Sequence, residues 1–229
     1  MKPRVLITPL SGKERTAWLN PSLARTLLKA SHDSRAFVAV EIVEHAPVDF
    51  ARNVCVDIAR RGGYDYLIQL DNDQTFADIG PMDVLFEALQ GERKDVIGMP
   101  YVQSLQQNGN CVRFNLGYEP LPVERQQTDG NFITVDRVAT GCMILSRRVW
   151  TEILPKGPWF KWMTDTTNEL LAPDPAIKGG EDYYLCHLLA ERGAKVWMHR
   201  TPIGHLKAAD ITALASMAQG LSQAKAETK

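Results

Sequence analysis

The sequence predicts an α/β fold in which helices cover both faces of a mostly parallel sheet. Apolar segments of strand length alternate with segments whose apolar residues recur at helical spacing, from residue 4 to residue 98. An acidic tripeptide, Asp71-Asn72-Asp73, directly follows the strand-like run 64–70. Open sheets of this class bind ligands beyond the carboxyl ends of their strands, so this tripeptide predicts a ligand site at that edge.

Capping and breaking residues bound the predicted elements. Asn20 and Pro21 read as an N-cap followed by proline in the first turn, while Gly62, Gly91 and Gly193 end helices. The predicted strands are 4–8, 36–43, 64–70, 95–98, 138–146 and 195–198, and the predicted helices are 21–30, 48–61, 81–90, 147–154 and 182–192. Residues 101–136 are rich in Gln, Asn, Gly and Pro and favour hairpins and loops.

Composition indicates a single globular domain. The chain has 229 residues, of which 45% are hydrophobic and 23% are charged, with a net charge of −1. This charge disfavours binding to bulk nucleic acid or anionic membranes. We expect a domain over 1–207 and a C-terminal helical tail over 208–229 that packs back on it.

No apolar run reaches the roughly 18 residues of a membrane span, so no transmembrane segment and a cytoplasmic location are expected.

The cysteines predict neither a zinc cluster nor a disulfide framework. Cys55, Cys111, Cys142 and Cys186 lie far apart and show no C-x-x-C spacing. We expect reduced, buried thiols.

Asp71 and Asp73 are the strongest candidates for a site. Their hard oxygen donors suit a divalent cation, which could neutralise the diphosphate of a substrate. On an extended chain, residues two apart point to one face, so both carboxylates could address one bound diphosphate. The alternative is a solvated turn, because Asp and Asn are common turn residues.

Five segments together resemble the GT-A-fold glycosyltransferases, and in particular their large family-2-like group. In chain order they are Ala51-Arg52-Asn53, Leu70-Asp71-Asn72-Asp73, 140–145, Gly180-Glu181-Asp182 and Gly204-His205. The resemblance covers roughly residues 5–205 and rests on their order and spacing. It implies a GT-A-like (Rossmann-like) sheet and transfer of a sugar from a nucleotide diphosphate sugar, with a UDP-sugar favoured, assisted by Mn²⁺ or Mg²⁺. The acceptor stays open among a glycan, a lipid-linked sugar, a protein and a modified nucleic-acid base.

The resemblance also assigns the metal and nucleotide site. Asp73 would ligate the metal, Asp71 would reach the metal or the ribose through water, and His205 would be the third protein ligand. The residues expected to bind the nucleotide are Thr8, Pro9, Arg52, Asn72 and Gly141. An exposed loop histidine and a surface arginine are the alternatives for His205 and Arg52.

Glu181 and Asp182 begin a predicted helix, where the helix dipole favours a charged carboxylate. The resemblance implies that Asp182 is the base of an inverting transfer, with Glu181 as acceptor-binding partner or alternative base. Plain helix capping is the other interpretation. The aromatic segment 158–162 could stack on a sugar or base, or pack in the core.

Two other functions compete with glycosyl transfer. A nucleotidyltransferase would need a glycine-rich basic loop after the first strand, which residues 11–15 match poorly. A non-catalytic nucleotide-sugar-binding module would keep the pocket without turnover.

Overall fold

A ten-stranded mixed sheet forms the centre of the molecule. The structure, a computed structural model, describes residues 1–11, 20–44, 46–77, 79–101, 103–107, 110–115, 117–161 and 180–205. The strands are β1 Arg4–Ser11, β2 Phe37–Val40, β3 Val43–Glu44, β4 Tyr66–Asp71, β5 Gln74–Thr75, β6 Val96–Gly98, β7 Gln103–Gln107, β8 Asn110–Asn115, β9 Tyr118–Pro120, β10 Thr128–Asp129, β11 Phe132–Val138, β12 Cys142–Ser146, β13 Val196–His199 and β14 Gly204–His205. The α-helices are α1 Pro21–Ser31, α2 Val48–Arg61, α3 Pro81–Ala88 and α4 Glu181–Glu191.

The strand order of the main sheet is β10-β11-β13-β6-β12-β4-β1-β2, with β3 beside β1 and β9 beside β11. β1 runs parallel to β2, β3 and β4, and β6 runs parallel to β13. β12 is antiparallel to both of its neighbours, β4 and β6. The α/β class and the Rossmann-like arrangement of the first half are confirmed, and antiparallel strands complete the sheet.

Helices cover both faces of this sheet. On one face, apolar residues of α2 and α4 pack with Leu6, Leu67 and Met143. On the other face, α1 and α3 pack with Ile7, Ile68 and other alternate residues of the same strands. This two-sided burial explains why the central strands are continuous apolar runs instead of alternating ones.

The predicted strand 138–146 is two strands. β11 ends at Val138, the chain turns at Thr140 and Gly141, and β12 begins at Cys142. A Cβ on Gly141 would lie 2.6 Å from Cε1 of Tyr101, so only glycine fits this turn beside the buried tyrosine ring. The run of apolar residues hid the turn because both flanking strands are buried.

Other predicted boundaries shift in the structure. The predicted strand 36–43 is divided into β2 and β3, which pair with different parts of β1. The predicted helix 147–154 is a π-helical segment, Val149–Ile153. β1 continues to Ser11, beyond the predicted end of this strand at residue 8.

The aromatic segment packs in the core. Trp159 and Phe160 are 6% and 1% exposed, which confirms core packing for these two rings. Asn53 on α2 fixes their backbone: its Oδ1 accepts hydrogen bonds from the amides of Trp159 at 2.8 Å and Phe160 at 3.2 Å. Its Nδ2 donates to the Phe160 carbonyl at 2.6 Å. Trp162 and the expected tail 208–229 lie outside the described residues.

Three cysteines are buried and unpaired: Cys55, Cys142 and Cys186. This confirms the expectation of reduced thiols for them. Within the described ranges, no helix has the length and hydropathy needed to cross a bilayer.

Candidate active site

The candidate site lies where β1 and β4 end and α4 begins. Asp71 is the last residue of β4; it pairs with Leu10 of β1, and its amide donates to the Gly141 carbonyl at 3.0 Å. Because Gln69 and Asp71 are two residues apart on a strand, both face α2. Polar groups therefore replace apolar ones at the carboxyl end of this face.

Arg52, which lies on α2, connects this helix to β4 and to α4. Its Nη2 donates to Oδ1 of Asp71 at 2.9 Å, and its Nε donates to Oε1 of Glu181 at 3.0 Å. The side chain is only 2% exposed, so the expected alternative of a surface arginine is wrong. It is buried because it lies on the inward stripe of α2, one turn before Cys55 and Val56.

The surroundings of Arg52 leave one donor unused. The side-chain amide of Gln69 donates to the Arg52 carbonyl at 3.0 Å, which ties α2 to β4 a second time. Nη1 of Arg52 is buried and has no hydrogen-bond partner among the described residues. A buried donor without a partner costs about 1–3 kcal/mol, so an acceptor brought by a ligand would stabilise this group.

Electrostatics keep Arg52 charged. Burial lowers the pKa of Arg52, but the attraction of Asp71 and Glu181 outweighs this and raises the pKa above its ordinary value. Burial raises the pKa of Asp71, while the Arg52 guanidinium opposes that rise. Arg52 and Asp71 attract each other, and either group alone would be poorly solvated at this position.

Asp182 differs from its neighbour Glu181. Burial, followed by repulsion from Glu181, raises the pKa of Asp182 to about 6. Arg52 lowers it in part, and so does the Tyr183 amide, which donates to Oδ1 at 2.8 Å. Asp182 therefore changes its charge close to neutral pH, which suits a group that accepts a proton.

Asn72 and Asp73 form a turn between β4 and β5. The expected extended geometry from Asp71 to Asp73 is wrong, because the strand ends at Asp71. The side-chain amide of Gln74 donates to Oδ1 of Asp73 at 3.3 Å. Asn20 holds the turn by donating from Nδ2 to the carbonyls of Asn72 and Gln74, both at 2.8 Å.

The backbone brings His205 to this turn. β14 pairs antiparallel with β5, and His205 lies opposite Gln74, the residue after Asp73. A Cβ on Gly204 would lie 2.1 Å from Oγ1 of Thr75, so glycine at this position permits the close pairing. The side chain of His205 lies outside what the structure describes. Another histidine, His199, is the last residue of β13, and its Nε2 lies 3.3 Å from Oε2 of Glu87.

Thr8 and Pro9 lie inside the sheet. Both are buried in β1, and the Thr8 hydroxyl donates to the Ile68 carbonyl at 3.4 Å. Gly141 lies beside Asp71 and contributes its carbonyl to the Asp71 amide. Nucleotide binding by these residues and by Asn72 stays a prediction.

The backbone of His205 lies beside the turn that follows Asp71 and carries Asp73, but metal binding by these three residues stays a prediction. Within the described side chains, no group of three or more acidic, histidine or cysteine residues is arranged to hold a metal. Asp71 and Asp73 would supply carboxylate oxygens and His205 an imidazole nitrogen, a donor set that suits Mn²⁺. One oxygen of Asp71 already accepts a hydrogen bond from Arg52, and the indirect metal role expected for Asp71 stays a prediction.

Sequence reasoning missed Gln69, Gln74 and Tyr101. Oε1 of Gln69 and Oε1 of Gln74 are buried without a hydrogen-bond partner in the described part of the chain. Burial, followed by repulsion from Asp71, raises the pKa of Tyr101, so its hydroxyl stays protonated. Sequence position could have pointed to two of them: Gln69 is a polar residue within a buried strand, and Tyr101 follows β6.

Comparison with known proteins supports the fold alone. The sequence matches no protein-family model and no curated protein. The chain is similar to the crystal structure of A197 from STIV, with 17% identity, coverage of 91% of this chain and 87% of that one, and a TM-score of 0.55. Mannose-1-phosphate geranyltransferase from Thermus thermophilus is more distant, with 12% identity, 88% and 75% coverage and a TM-score of 0.47. UDP-glucose pyrophosphorylase has 8% identity, 97% and 99% coverage and a TM-score of 0.44.

Arg52→Met should lower the free energy of unfolding by about 3–5 kcal/mol, because it leaves the buried Glu181 and the partly buried Asp71 without their cation. Urea unfolding at pH 7 measures this loss. Adding Glu181→Gln to Arg52→Met should recover part of it, since one uncompensated charge is removed. The exposed Arg60 on the same helix is the control. A loss in Arg52→Met no larger than in Arg60→Met would contradict the structural role of the ion pairs.

Asp182→Asn should stabilise the fold above pH 6. The pKa of Asp182 in the folded chain is about 6, whereas the pKa of an aspartate in an unfolded chain is about 3.9. Ionisation of Asp182 therefore destabilises the folded chain fully above pH 6 and not at all below the unfolded pKa. The gain, up to about 3 kcal/mol at about 1.4 kcal/mol per pKa unit, should disappear as pH falls towards 4.

Thermal unfolding from pH 4 to pH 8 would measure this gain, with Asp136→Asn, at a partly exposed position, as the control. A constant difference between Asp182→Asn and the native chain across this range would refute the assigned environment of Asp182.

Proposed function

We propose that this chain is a metal-dependent glycosyltransferase that moves a sugar from a nucleotide diphosphate sugar, with a UDP-sugar favoured, to a hydroxyl acceptor with inversion. The observation that best supports this is the convergence of Asp71, Glu181 and Asp182 around one buried guanidinium at the carboxyl edge of the sheet. A positive charge and a group able to accept a proton would then lie close together, and glycosyl transfer uses both.

The turn after β4 would hold the donor diphosphate through Mn²⁺ or Mg²⁺. Asp73 and His205 would ligate the ion directly, and Asp71 would support it through water or contact the ribose. The ion would neutralise the nucleoside diphosphate as it leaves the sugar. Arg52 adds a permanent positive charge beside Asp71, and its unpaired Nη1 would be satisfied by a phosphate oxygen after a small movement.

Asp182 would act as the base. The acceptor oxygen forms a bond to the anomeric carbon, the bond from that carbon to the diphosphate breaks, and the acceptor proton passes to the Asp182 carboxylate. A pKa of about 6 leaves most of this carboxylate ionised at neutral pH while keeping it basic enough to accept a proton. Glu181 bonds to Arg52 at 3.0 Å, so we assign it to positioning and not to proton transfer.

Asp73→Asn should weaken Mn²⁺-dependent UDP binding at least about tenfold and leave the fold intact, because it removes one charge in a turn that Asn also tolerates. Calorimetry of UDP with and without Mn²⁺ measures this effect. Asp57→Asn, on the outer part of α2, is the matched control. Unchanged metal-dependent affinity in a folded Asp73→Asn variant would exclude Asp73 as a ligand.

Asp182→Asn should retain UDP-sugar affinity and lose transfer by about 10²-fold or more, because a base that takes the acceptor proton contributes mainly in the transition state. The assay follows UDP release from a panel of UDP-sugars with Mn²⁺, using slow donor hydrolysis where no acceptor is known. Native turnover in this variant would exclude Asp182 as the base, and a product that keeps the donor's anomeric configuration would exclude inversion.

The same assay separates the competing functions. Formation of a nucleoside triphosphate and a sugar 1-phosphate from UDP-sugar and pyrophosphate would identify a nucleotidyltransferase. Metal-dependent UDP-sugar binding by the native chain without release of UDP would identify a binding module.

A further inference from the structure

We propose a second ligand site at the other end of the strands, where β4 begins. This site binds a phosphate ester that carries an apolar or aromatic group. Two adjoining cavities of about 370 Å³ and 410 Å³ lie there and share Arg93, Asp95 and Arg148. Both volumes fall in the range typical of small-molecule sites. This inference is independent of the function proposed for the Asp71 edge.

The second site is remote from Asp71. Asp65, which lines the first cavity, directly precedes β4, whereas Asp71 ends it. The six residues of β4 span roughly 20 Å, at about 3.3 Å per residue. A ligand in this cavity would therefore not contact the candidate active site.

Positive charge predominates in the lining of the two cavities. The basic residues are Arg93, Lys94, Arg147, Arg148, Arg192 and Lys195, and the acidic ones are Asp65, Glu92 and Asp95. This gives six positive against three negative charges in a chain whose net charge is −1. The concentration of positive charge predicts an anionic ligand.

Several of these charges have partners within the protein. Lys94 bonds to Asp129, which lies outside the cavities, and Lys195 lies 2.5 Å from Glu92. Arg148 bonds to Asp95 and, through its Nε, to Glu152 at 2.7 Å. These bonds neutralise much of the local charge and hold the Arg148 guanidinium in place.

Arg147 and Arg192 are the basic lining residues that form no ion pair with any described residue, and both are exposed. Among the acidic lining residues, Asp65 likewise forms no ion pair with a described residue. Arg147 lines the first cavity and Arg192 the second, and Arg148 lines both. Guanidinium groups offer paired donors that match phosphate oxygens, so these two side chains can complete an anion site.

The first cavity also has an apolar wall. Leu85, Ala88 and Leu89 of the α3 region and Ile97 of β6 line it, together with the half-buried ring of Tyr66. An inorganic anion would leave this wall in contact with water. A phosphate ester with an aromatic or aliphatic group would use the wall and the arginines together.

Calorimetric titration with phenyl phosphate in the presence of EDTA tests this site, because the chelator suppresses metal-dependent binding at the Asp71 edge. We expect binding by the native chain, and at least about tenfold weaker binding by Arg147→Gln/Arg192→Gln, which loses two charged donors. Arg25→Gln/Arg60→Gln, with two exposed arginines on α1 and α2, is the matched control and should bind normally. Asp73→Asn should also bind phenyl phosphate normally.

Three results would overturn the proposal. They are no binding by the native chain at low ionic strength, equal binding by the Arg147→Gln/Arg192→Gln variant, and loss of binding in Asp73→Asn. Inorganic phosphate that binds as tightly as phenyl phosphate would overturn the assignment of an organic ester, because the apolar wall would then contribute nothing.

Discussion

The candidate site depends on one buried guanidinium. Arg52 is 2% exposed and joins α2 to the end of β4 and to the first turn of α4. A buried charge of this kind costs several kcal/mol in desolvation, and the ion pairs with Asp71 and Glu181 offset that cost. The same bonds therefore set the position of α4 relative to the sheet and the electrostatic character of the crevice. Stability and proposed activity rest on one set of contacts.

The antiparallel strand β12 also constrains the candidate site, because it fixes the backbone of Asp71. β12 enters between β4 and β6, and the turn before it carries Gly141, whose carbonyl accepts the Asp71 amide at 3.0 Å. The missing side chain of Gly141 leaves room for the Tyr101 ring, which lies directly beside this turn. The backbone of Asp71 is thus fixed from both neighbouring strands, so its carboxylate is presented to Arg52 in one orientation.

Local sequence signals predicted the helices, the strands and a candidate site at the carboxyl ends of the strands. The features that they missed depend on contacts between residues far apart in the sequence. Asn20 and Gly62 marked the start of α1 and the end of α2, because capping is a local property. The burial of Arg52 was invisible in the sequence, since its partner Glu181 lies 129 residues away. The turn at Gly141 was missed because the break, Thr140-Gly141, is only two residues long and is flanked by buried apolar residues. Likewise, the extended geometry assumed for Asp73 failed where β4 stops.

Glu181 and Asp182 show how adjacent acids acquire different roles. Glu181 points to Arg52 and forms a direct ion pair, so its charge is compensated and its oxygen is occupied. Asp182 accepts only the Tyr183 amide among the described hydrogen bonds, and burial together with the neighbouring Glu181 charge raises its pKa to about 6. The ion pair that fixes Glu181 thus also keeps a negative charge next to Asp182. Such a difference in environment would let one carboxylate be structural and the other accept a proton, as we propose for Glu181 and Asp182. This division follows from where Arg52 lies, because a guanidinium turned towards Asp182 would reverse it.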